Sequence, residues 1–365
     1  MIKILFRYIL LCAIFSAFSF KPLYSQRIPE PKIPFAPEHY VCYRTETKIS
    51  IDGNLDELSW QKASWTKAFV DVEGSQKPAP KFKTRAKMLW DDNFLYVAAE
   101  LEEHDLWATL TKRDTTIYND NNFEIFIDPD GDTQNYYEFE INALNTFWDL
   151  FMTKPYRVGG FPVSAWDIKG IKTAVGLQGT LNNPADKDQG WIIEIAFPLK
   201  VLMQSTGHKG LPKNGEQWRV DFTRVEWGLT SQEGRYKRND DETSYWAWSP
   251  IGLIDYHYPE MYGYVQFSDK TAGSSEDTFI QIPAEYAKWV LREIFYKEKA
   301  FFLEHGSYTK SLEDLKFDQT DIPGYNWPPV IETTSDFFEI SAFSSENKTK
   351  VYIFSDGKTG EISLK

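Results

Sequence analysis

Tryptophan, arginine and aspartate side chains in the middle of the chain could together bind a ligand rich in hydroxyl groups. An arginine and an aspartate flanked by indole rings can grip two neighbouring hydroxyls, because the guanidinium donates hydrogen bonds and the carboxylate accepts them. The alternative is structural, with the indoles packed in a core and Arg224 paired to a strand carboxylate. We expect most of these tryptophans in the core and at least one at a binding site. The candidates are Trp148, Asp149, Arg157, Trp166, Arg224, Trp227 and Trp248.

A second group of candidate ligands is the acidic turn that contains Asp128, Asp130 and Asp132. Hard oxygen ligands at alternate positions of a turn suit calcium. The spacing departs from the EF-hand loop, because no glycine stands at the sixth position and no glutamate at the twelfth. The sequence is consistent with a structural calcium site or with an acidic hairpin turn that binds no metal. It indicates no other cofactor.

Arrangements typical of catalysis are missing from the sequence. Glu138 and Glu140 are two residues apart on one predicted strand and share a face, but nothing marks one as acid and the other as nucleophile. No Ser-His-Asp or Cys-His arrangement is present, and the histidines have no metal-ligand spacing. We therefore expect no catalytic residues and no enzyme activity. The histidines are His39, His104, His208, His257 and His305.

The first 25 residues have the layout of a secretory signal peptide. Lys3 and Arg7 precede an apolar run over residues 8–20, and Ser25 lies near the expected cleavage site. The run is shorter than the roughly 20 residues of a membrane-spanning helix. We expect no transmembrane segment after cleavage, and a protein that is secreted, periplasmic or at the cell surface.

Charge and cysteine content limit the partners and the means of stabilisation. The formal net charge of −13 would repel nucleic acid, and no basic stripe offsets it. Cys42 is the only cysteine after the predicted leader, so no internal disulfide can form. Stability must therefore come from a large core, to which an aromatic content of 16% contributes.

Short runs rich in β-branched and aromatic residues, separated by turn signals, predict many strands between residues 40 and 270. This pattern favours a mainly β protein with an antiparallel β-sandwich, immunoglobulin-like or jelly-roll-like. The predicted strands cover residues 84–89, 94–101, 123–128, 136–143, 192–197 and 218–227.

Composition divides the rest of the chain into linkers and a tail. A Pro-rich segment over residues 26–39 is predicted to be an extended linker, and residues 271–283 a second, flexible one. Apolar residues at helical spacing predict a helix over 284–304, with hairpins after it. Residues 284–365 should therefore form a small α+β tail, a candidate docking element for a protein partner.

Five phrases in fixed order between residues 40 and 268 resemble the family 9 carbohydrate-binding modules. The resemblance implies an exported, non-catalytic sandwich that binds a polysaccharide or oligosaccharide in support of polysaccharide capture or breakdown. The phrases are residues 51–57 with Trp60 and Ala63, residues 89–97, residues 119–128, residues 190–198, and Trp248-Ser249-Pro250 with His257, Pro259, Glu260 and Gly263.

Modules of this family hold a sugar between aromatic faces, which suits the apolar C–H face of a pyranose ring. By resemblance, the stacking positions fall on Tyr118 and on Tyr256 with its neighbour His257, and Glu124 would bond the ring edge. The sequence departs from the family where tyrosines replace tryptophans and Glu140 replaces an arginine. These departures put the family's preferred ligand, the reducing end of a glucan, in doubt.

Three other functions stay open on the sequence alone. The chain could be a structural or protein-interaction module at the cell surface. It could act beside a glycoside hydrolase or hydrolyse glycans itself. A haem-binding sandwich would need axial histidine or methionine ligands.

Overall fold

The computed structural model describes residues 27–207 and 210–364. The predicted signal peptide lies outside them. Short α-helices α1 (Leu58–Lys62) and α2 (Leu199–Leu202) accompany a long α3 (Pro283–His305), with single 3-10 turns at Ile117–Asn119, Tyr156–Val158 and Pro259–Met261. The strands are β1 (His39–Arg44), β2 (Val70–Asp71), β3 (Thr84–Trp90), β4 (Phe94–Glu102), β5 (Asn122–Asp128), β6 (Tyr136–Asn142), β7 (Phe147–Met152), β8 (Pro162–Val163), β9 (Lys172–Gln178), β10 (Gly190–Pro198), β11 (Gln217–Gln232), β12 (Arg235–Ala247), β13 (Gly263–Thr271), β14 (Val330–Thr333), β15 (Phe338–Phe343), β16 (Thr349–Phe354) and β17 (Thr359–Ser363).

One sheet of 13 strands forms the main body, in the order β8-β7-β6-β5-β11-β13-β1-β3-β4-β10-β9. β12 pairs with the far half of the long β11, and β2 pairs with β12. Neighbours are antiparallel except around β1, which runs parallel to β13 and β3. The prediction of a mainly β sandwich is confirmed.

The two halves of this sheet face each other across one apolar core. Alternate residues of β5 and β6, such as Ile125 and Phe139, point inward because successive side chains of a strand lie on opposite faces. They meet Met88 of β3, Val97 of β4 and Ile195 of β10, all without solvent exposure. The opposite face of β5 and β6 is therefore left to face away from this core.

The C-terminal region consists of α3 and the separate four-stranded sheet β14-β15-β16-β17. The helix lies within one residue of its predicted bounds at each end. It begins at Pro283, whose missing N–H costs nothing in a first turn. It is terminated after His305 by Gly306, which adopts a left-handed φ of 71°.

This region packs onto the outer face of the sandwich. Ile294 of α3 and Ile353 of β16 belong to the same apolar cluster as Phe126 of β5 and Leu150 of β7. Backbone groups join as well, since the Thr359 N–H donates to the carbonyl of Asp132 at 3.0 Å. The tail and one end of the outer sheet face thus share a core.

Both segments predicted as linkers contact the folded body. The ring of Phe35 stacks on Trp289 of α3 with centroids 4.5 Å apart, and Tyr258 donates a hydrogen bond to the carbonyl of Pro29. The Asp277 N–H donates to the hydroxyl of Tyr43, and the Ile280 N–H to the side chain of Gln266. Neither segment is a free spacer, because each satisfies its polar groups against neighbouring strands or loops. The division into domains stays a prediction.

None of the helices in the described part of the chain has the length and apolar character needed to cross a membrane.

Candidate binding pocket

The outer face of β5, β6, β7 and β11 carries an open pocket of about 320 Å³. Loops containing Tyr118, Tyr156 and His257 rise around it. The lining residues are Tyr118, Glu124, Phe126, Glu138, Glu140, Trp148, Leu150, Tyr156, Val225, Trp227, Tyr245, Tyr256 and His257.

Strand register explains why acids and aromatic rings meet on this face. Glu124 of β5 lies directly opposite Glu140 of β6, which in turn lies opposite Trp148 of β7. Glu138 lies two residues from Glu140 and therefore points to the same side of the sheet. The residues between them face the sandwich core, so the pattern of alternation builds the pocket floor.

Tyr118 and Trp227 form one wall of the pocket. The indole N–H of Trp227 donates to the carbonyl of Tyr118 at 2.8 Å, and the guanidinium of Arg238 lies 4.3 Å from the indole centroid. The ring of Tyr118 remains 42% exposed. This wall therefore presents an open aromatic face on a fixed backbone.

The segment with Tyr256 and His257 forms another wall. The Tyr256 hydroxyl donates to the carbonyl of Arg224 at 3.2 Å, while Nδ1 of His257 lies 2.8 Å from the hydroxyl of Tyr136. The ring of Tyr156 meets His257 edge-on at 4.6 Å. Burial, and then the charge of Arg157, lower the pKa of His257 to about 3, so its imidazole is neutral at physiological pH.

Three buried carboxyl groups lie on the floor. Glu124 accepts hydrogen bonds from Asn122 and Thr223, each at 2.9 Å, and Glu140 accepts the backbone N–H of Tyr118 at 2.8 Å. Burial, then the charge of Glu124, raises the pKa of Glu138 to about 8. Burial and the two neighbouring acids likewise raise the pKa of Glu140. These groups are held in place but not neutralised by a cationic side chain.

Trp148 contributes an unused donor. Its indole N–H is buried and has no hydrogen-bond partner among the described residues. A buried donor without a partner is costly, because it loses its bond to water without a replacement. The pocket thus offers a donor and several acceptors beside aromatic faces.

Six of the residues singled out in the sequence therefore lie together in the pocket. Their spatial clustering combines the stacking positions implied by the resemblance with two tryptophans of the hydroxyl-gripping set. They are Tyr118, Glu124, Trp148, Trp227, Tyr256 and His257.

The remaining candidates of the Trp/Arg/Asp set lie elsewhere. Arg224 is fully buried between Glu103 and Glu226, with nitrogen–oxygen distances of 2.6 and 2.8 Å, and so is not available to a ligand in this pocket. Trp248 is 2% exposed and packs on Phe222 in the sandwich core. For these two residues the structural alternative describes the observed position.

Arg157, Asp149 and Trp166 also face other partners. Nη2 of Arg157 donates to both carboxylate oxygens of Glu260, at 2.6 and 2.7 Å, and Nη1 donates to the carbonyl of His257. Asp149 is buried on the opposite face of β7 from the pocket and bonds Arg113 at 2.8 Å. Trp166 stacks on Tyr137 with centroids 4.9 Å apart, against the sandwich core.

Several lining residues were not proposed as ligand contacts from the sequence. Glu138 and Glu140 were recognised as sharing a strand face, and Glu140 as a departure from the family, but neither was assigned to the site. Tyr156 stands beside Arg157 of the Trp/Arg/Asp set in the sequence but was not itself assigned as a ligand contact, and Tyr245 gave no signal of its own. The pairing of β6 with β5, read together with the position of Glu124, would have placed both acids beside it.

The acidic turn has the compactness that a cation needs. Carboxylate oxygens of Asp128, Asp130 and Asp132 lie within 4.8 Å of one another. Asp128 already accepts the backbone N–H groups of Gly131 and Thr133, and Asp132 pairs with Lys358 at 2.9 Å. The donor set fits calcium chemistry, although the lysine competes for one ligand. Calcium binding here stays a prediction.

Comparison with known proteins gives matches to one family. A region similar to this chain occurs in endo-1,4-beta-xylanase C of Paenibacillus barcinonensis, 34% identical over 160 residues, and in exoglucanase XynX of Acetivibrio thermocellus, 28% identical over 157 residues. The matches cover 44% and 43% of this chain but only 12% of each relative. A solved family 9 carbohydrate-binding module from Caldicellulosiruptor kristjanssonii in complex with cellotriose is 17% identical, with a TM-score of 0.41, covering 66% of this chain and 99% of that one.

The family model described as "Carbohydrate family 9 binding domain-like" matches residues 51–270. This region includes both faces of the sandwich and every residue of the pocket. The chain therefore belongs to the carbohydrate family 9 binding domain-like family, a family of carbohydrate-binding domains.

Proposed function

We propose that this chain binds an oligosaccharide or polysaccharide, without cleaving it, in the pocket on the outer face of β5, β6, β7 and β11. The observation that carries the proposal is the meeting of open aromatic faces with buried acceptors in one concave site. Sugars need both, because the ring face is apolar and the ring edge carries hydroxyls. Family membership supports the ligand class.

The names of the relatives indicate which class of polysaccharide the ligand belongs to. An endo-1,4-beta-xylanase and an exoglucanase carry the matching regions. Since the matching region covers about an eighth of each relative, any enzyme activity of the whole relative need not apply here. We therefore expect a β-linked polysaccharide as the partner, bound by an exported protein.

A non-catalytic role is supported by the way the acids are held. Two of the three pocket carboxyls accept hydrogen bonds from fixed neighbours, Glu124 from Asn122 and Thr223, and Glu140 from the backbone at Tyr118. Their positions fit acceptors of ligand hydrogen bonds. Oligosaccharides should be recovered intact after incubation with the protein, and released shorter sugars would contradict this part of the proposal.

The proposal is tested by a glycan-array screen of the purified protein followed by one pair of variants. Tyr118→Ala should weaken binding of the best array ligand about tenfold, the equivalent of ~1.4 kcal/mol, through loss of a stacking face. Tyr286→Ala is the matched control, because that tyrosine is 43% exposed against 42% for Tyr118 and lies on α3, outside the pocket. Calorimetric titration gives both affinities.

A blank array from folded protein would overturn the proposal and favour the protein-interaction role. Equal losses in both variants would show that the sugar is bound elsewhere.

A further inference from the structure

We propose that the pocket selects a sugar carrying a free, protonated amine, so that the ligand class is an amino-sugar polysaccharide with unacetylated nitrogen. This inference rests on the proposed function, because it concerns the ligand of the same pocket. It goes further by assigning the pocket a charge preference that a neutral xylan or glucan does not satisfy.

The first observation is an excess of buried acid. Glu124, Glu138 and Glu140 are 3%, 6% and 1% exposed. Across residues 27–207 and 210–364, no lysine or arginine forms an ion pair with any of the three. Buried carboxylates are costly unless a cation or several donors balance them. The missing positive charge is therefore a property that the ligand can supply.

The nearest ionisable nitrogen does not supply it. Nε2 of His257 lies 3.9 Å from Glu138, beyond a hydrogen bond, and its lowered pKa leaves the imidazole uncharged. Burial and the neighbouring charge of Glu124 raise the pKa of Glu138, so in the free protein a bound proton neutralises this carboxyl group in place of a cation. An ammonium group beside these acids would replace that proton.

Aromatic rings around the acids add a second preference for a cation. Tyr118, Trp148, Tyr156 and Trp227 line the same pocket. The electron-rich faces of such rings attract ammonium groups, and the attraction grows when the site is shielded from water. A metal ion is a poorer match, since these three acids are not among the described groups whose ligand atoms lie within 4.8 Å of one another.

An amino sugar satisfies both features at once. Its ring face can stack on the open aromatic walls, while its ammonium group reaches the acids on the floor. An N-acetylated sugar has the same ring but no charge, and a neutral glucose unit has a hydroxyl in place of the nitrogen. A site built around a buried charge pair discriminates strongly against the analogue that lacks the partner.

The test compares three β-1,4-linked trisaccharides that differ at one carbon of each unit: the glucosamine trimer, its fully N-acetylated form, and cellotriose. Calorimetric titration of the intact protein should show the amine form binding at least ~10-fold tighter than the other two. Tri-lysine, which carries amines without a sugar ring, should bind far more weakly than the glucosamine trimer.

Variants then locate the preference. The double substitution Glu138→Gln with Glu140→Gln keeps side-chain shape and should remove the preference by weakening only the amine form. Glu313→Gln with Asp318→Asn removes two exposed acids of the tail and should leave the preference intact, which controls for general attraction to an acidic protein. Thermal unfolding of each variant checks that it is folded.

The outcomes separate this inference from the function beneath it. Equal affinity for all three trisaccharides, or tighter binding of cellotriose, would overturn the amine preference and leave carbohydrate binding in place. Tri-lysine binding as tightly as the glucosamine trimer would overturn the sugar selectivity. Failure of every glycan, together with a blank array, would overturn both.

Discussion

Buried glutamates in two regions, the pocket floor and the 3-10 turn before β13, are balanced in opposite ways. Nη2 of Arg157 donates to both carboxylate oxygens of Glu260, the hydroxyl of Tyr296 of α3 donates to one of them, and Nε of Arg292 lies 3.7 Å away. Among the described residues, no guanidinium pairs with Glu138 in the pocket. Burial alone would raise both pKa values, yet the two arginines hold the pKa of Glu260 down to about 2, while that of Glu138 is raised to about 8.

The difference separates a structural from a binding role for the same side chain. A glutamate satisfied by the protein has nothing left for a ligand and serves to join α3 to the loop before β13. A glutamate that is buried without a counter-charge destabilises the free protein, and a cationic ligand that pairs with it would offset that cost. Burial by itself therefore does not separate the two environments. The counter-charge does, and it is the basis of the binding role proposed for Glu138.

The largest expected effect is on the balanced group. Glu260→Gln leaves Arg157 and Arg292 buried without a counter-charge, and we expect a loss of about 3–5 kcal/mol in the free energy of unfolding. Urea denaturation followed by tryptophan fluorescence measures it. Glu313→Gln, at an exposed position, is the control and should stay within about 0.5 kcal/mol of wild type. A similarly small loss for Glu260→Gln would show that Glu260 is not the counter-charge on which Arg157 and Arg292 depend.

A smaller effect of opposite sign is expected in the pocket. The folded pKa of Glu138, about 8, lies above its ordinary value of 4.5, so its protonated form is favoured by folding and stability falls as pH rises from 4.5 to 8. Glu138→Gln should therefore stabilise the protein at about pH 8 by on the order of 1–3 kcal/mol and change little at about pH 4. Paired urea denaturation curves at the two pH values measure it.

Glu260 and His257 have the opposite effect on stability, which falls as the pH is lowered. Glu260 has a folded pKa of about 2, so its contribution is complete above its ordinary value of 4.5 and is lost as pH falls toward 2. The neutral His257 adds to that loss between 6.5 and about 3, because the unfolded chain takes up the proton first. Acid sensitivity that persisted unchanged in Glu260→Gln would contradict this assignment.

The smallest expected effect concerns the acidic turn, which is partly balanced by Lys358. If Asp128, Asp130 and Asp132 hold calcium weakly, with a dissociation constant of ~1 mM typical of extracellular sites, about 10 mM calcium should add roughly 1.4 kcal/mol of stability. Thermal unfolding in calcium and in chelator measures the shift. Asp130→Asn should abolish this shift. Identical melting curves of the wild-type protein in both buffers would show that the turn does not bind calcium.

Much of the fold followed from local pattern. Short runs rich in β-branched and aromatic residues predicted β3, β4, β5, β6 and β10 within one or two residues, and helical spacing predicted α3. β12 and β13 were not predicted. The sequence of β12 is rich in charged residues, although the strand forms a hairpin with β11 across Glu233-Gly234, and β13 pairs with β11 and β1, which are distant in sequence. The family resemblance, carried by five ordered phrases, was confirmed by the family model.

The pocket was only partly predictable. Tyr118, Glu124 and Tyr256 were assigned by their positions in or beside short phrases that resemble the family, and such phrases can be recognised without knowing the fold. Arg224 and Arg157 lie outside the pocket lining. Their partners, Glu103 and Glu260, are 121 and 103 residues away and cannot be identified from sequence alone. The same limit concealed that, among the described residues, no lysine or arginine pairs with Glu138.

The docking of α3 has a consequence for where this protein can be divided. The family match ends at residue 270, but the apolar cluster that begins at Phe126 and Leu150 is completed by Ile294 and Ile353 beyond that point. The boundary of the family match and the boundary of the shared apolar core therefore do not coincide. A fragment ended at residue 270 would expose Phe126 and Leu150, so a recombinant excision guided by homology would cut through a shared core.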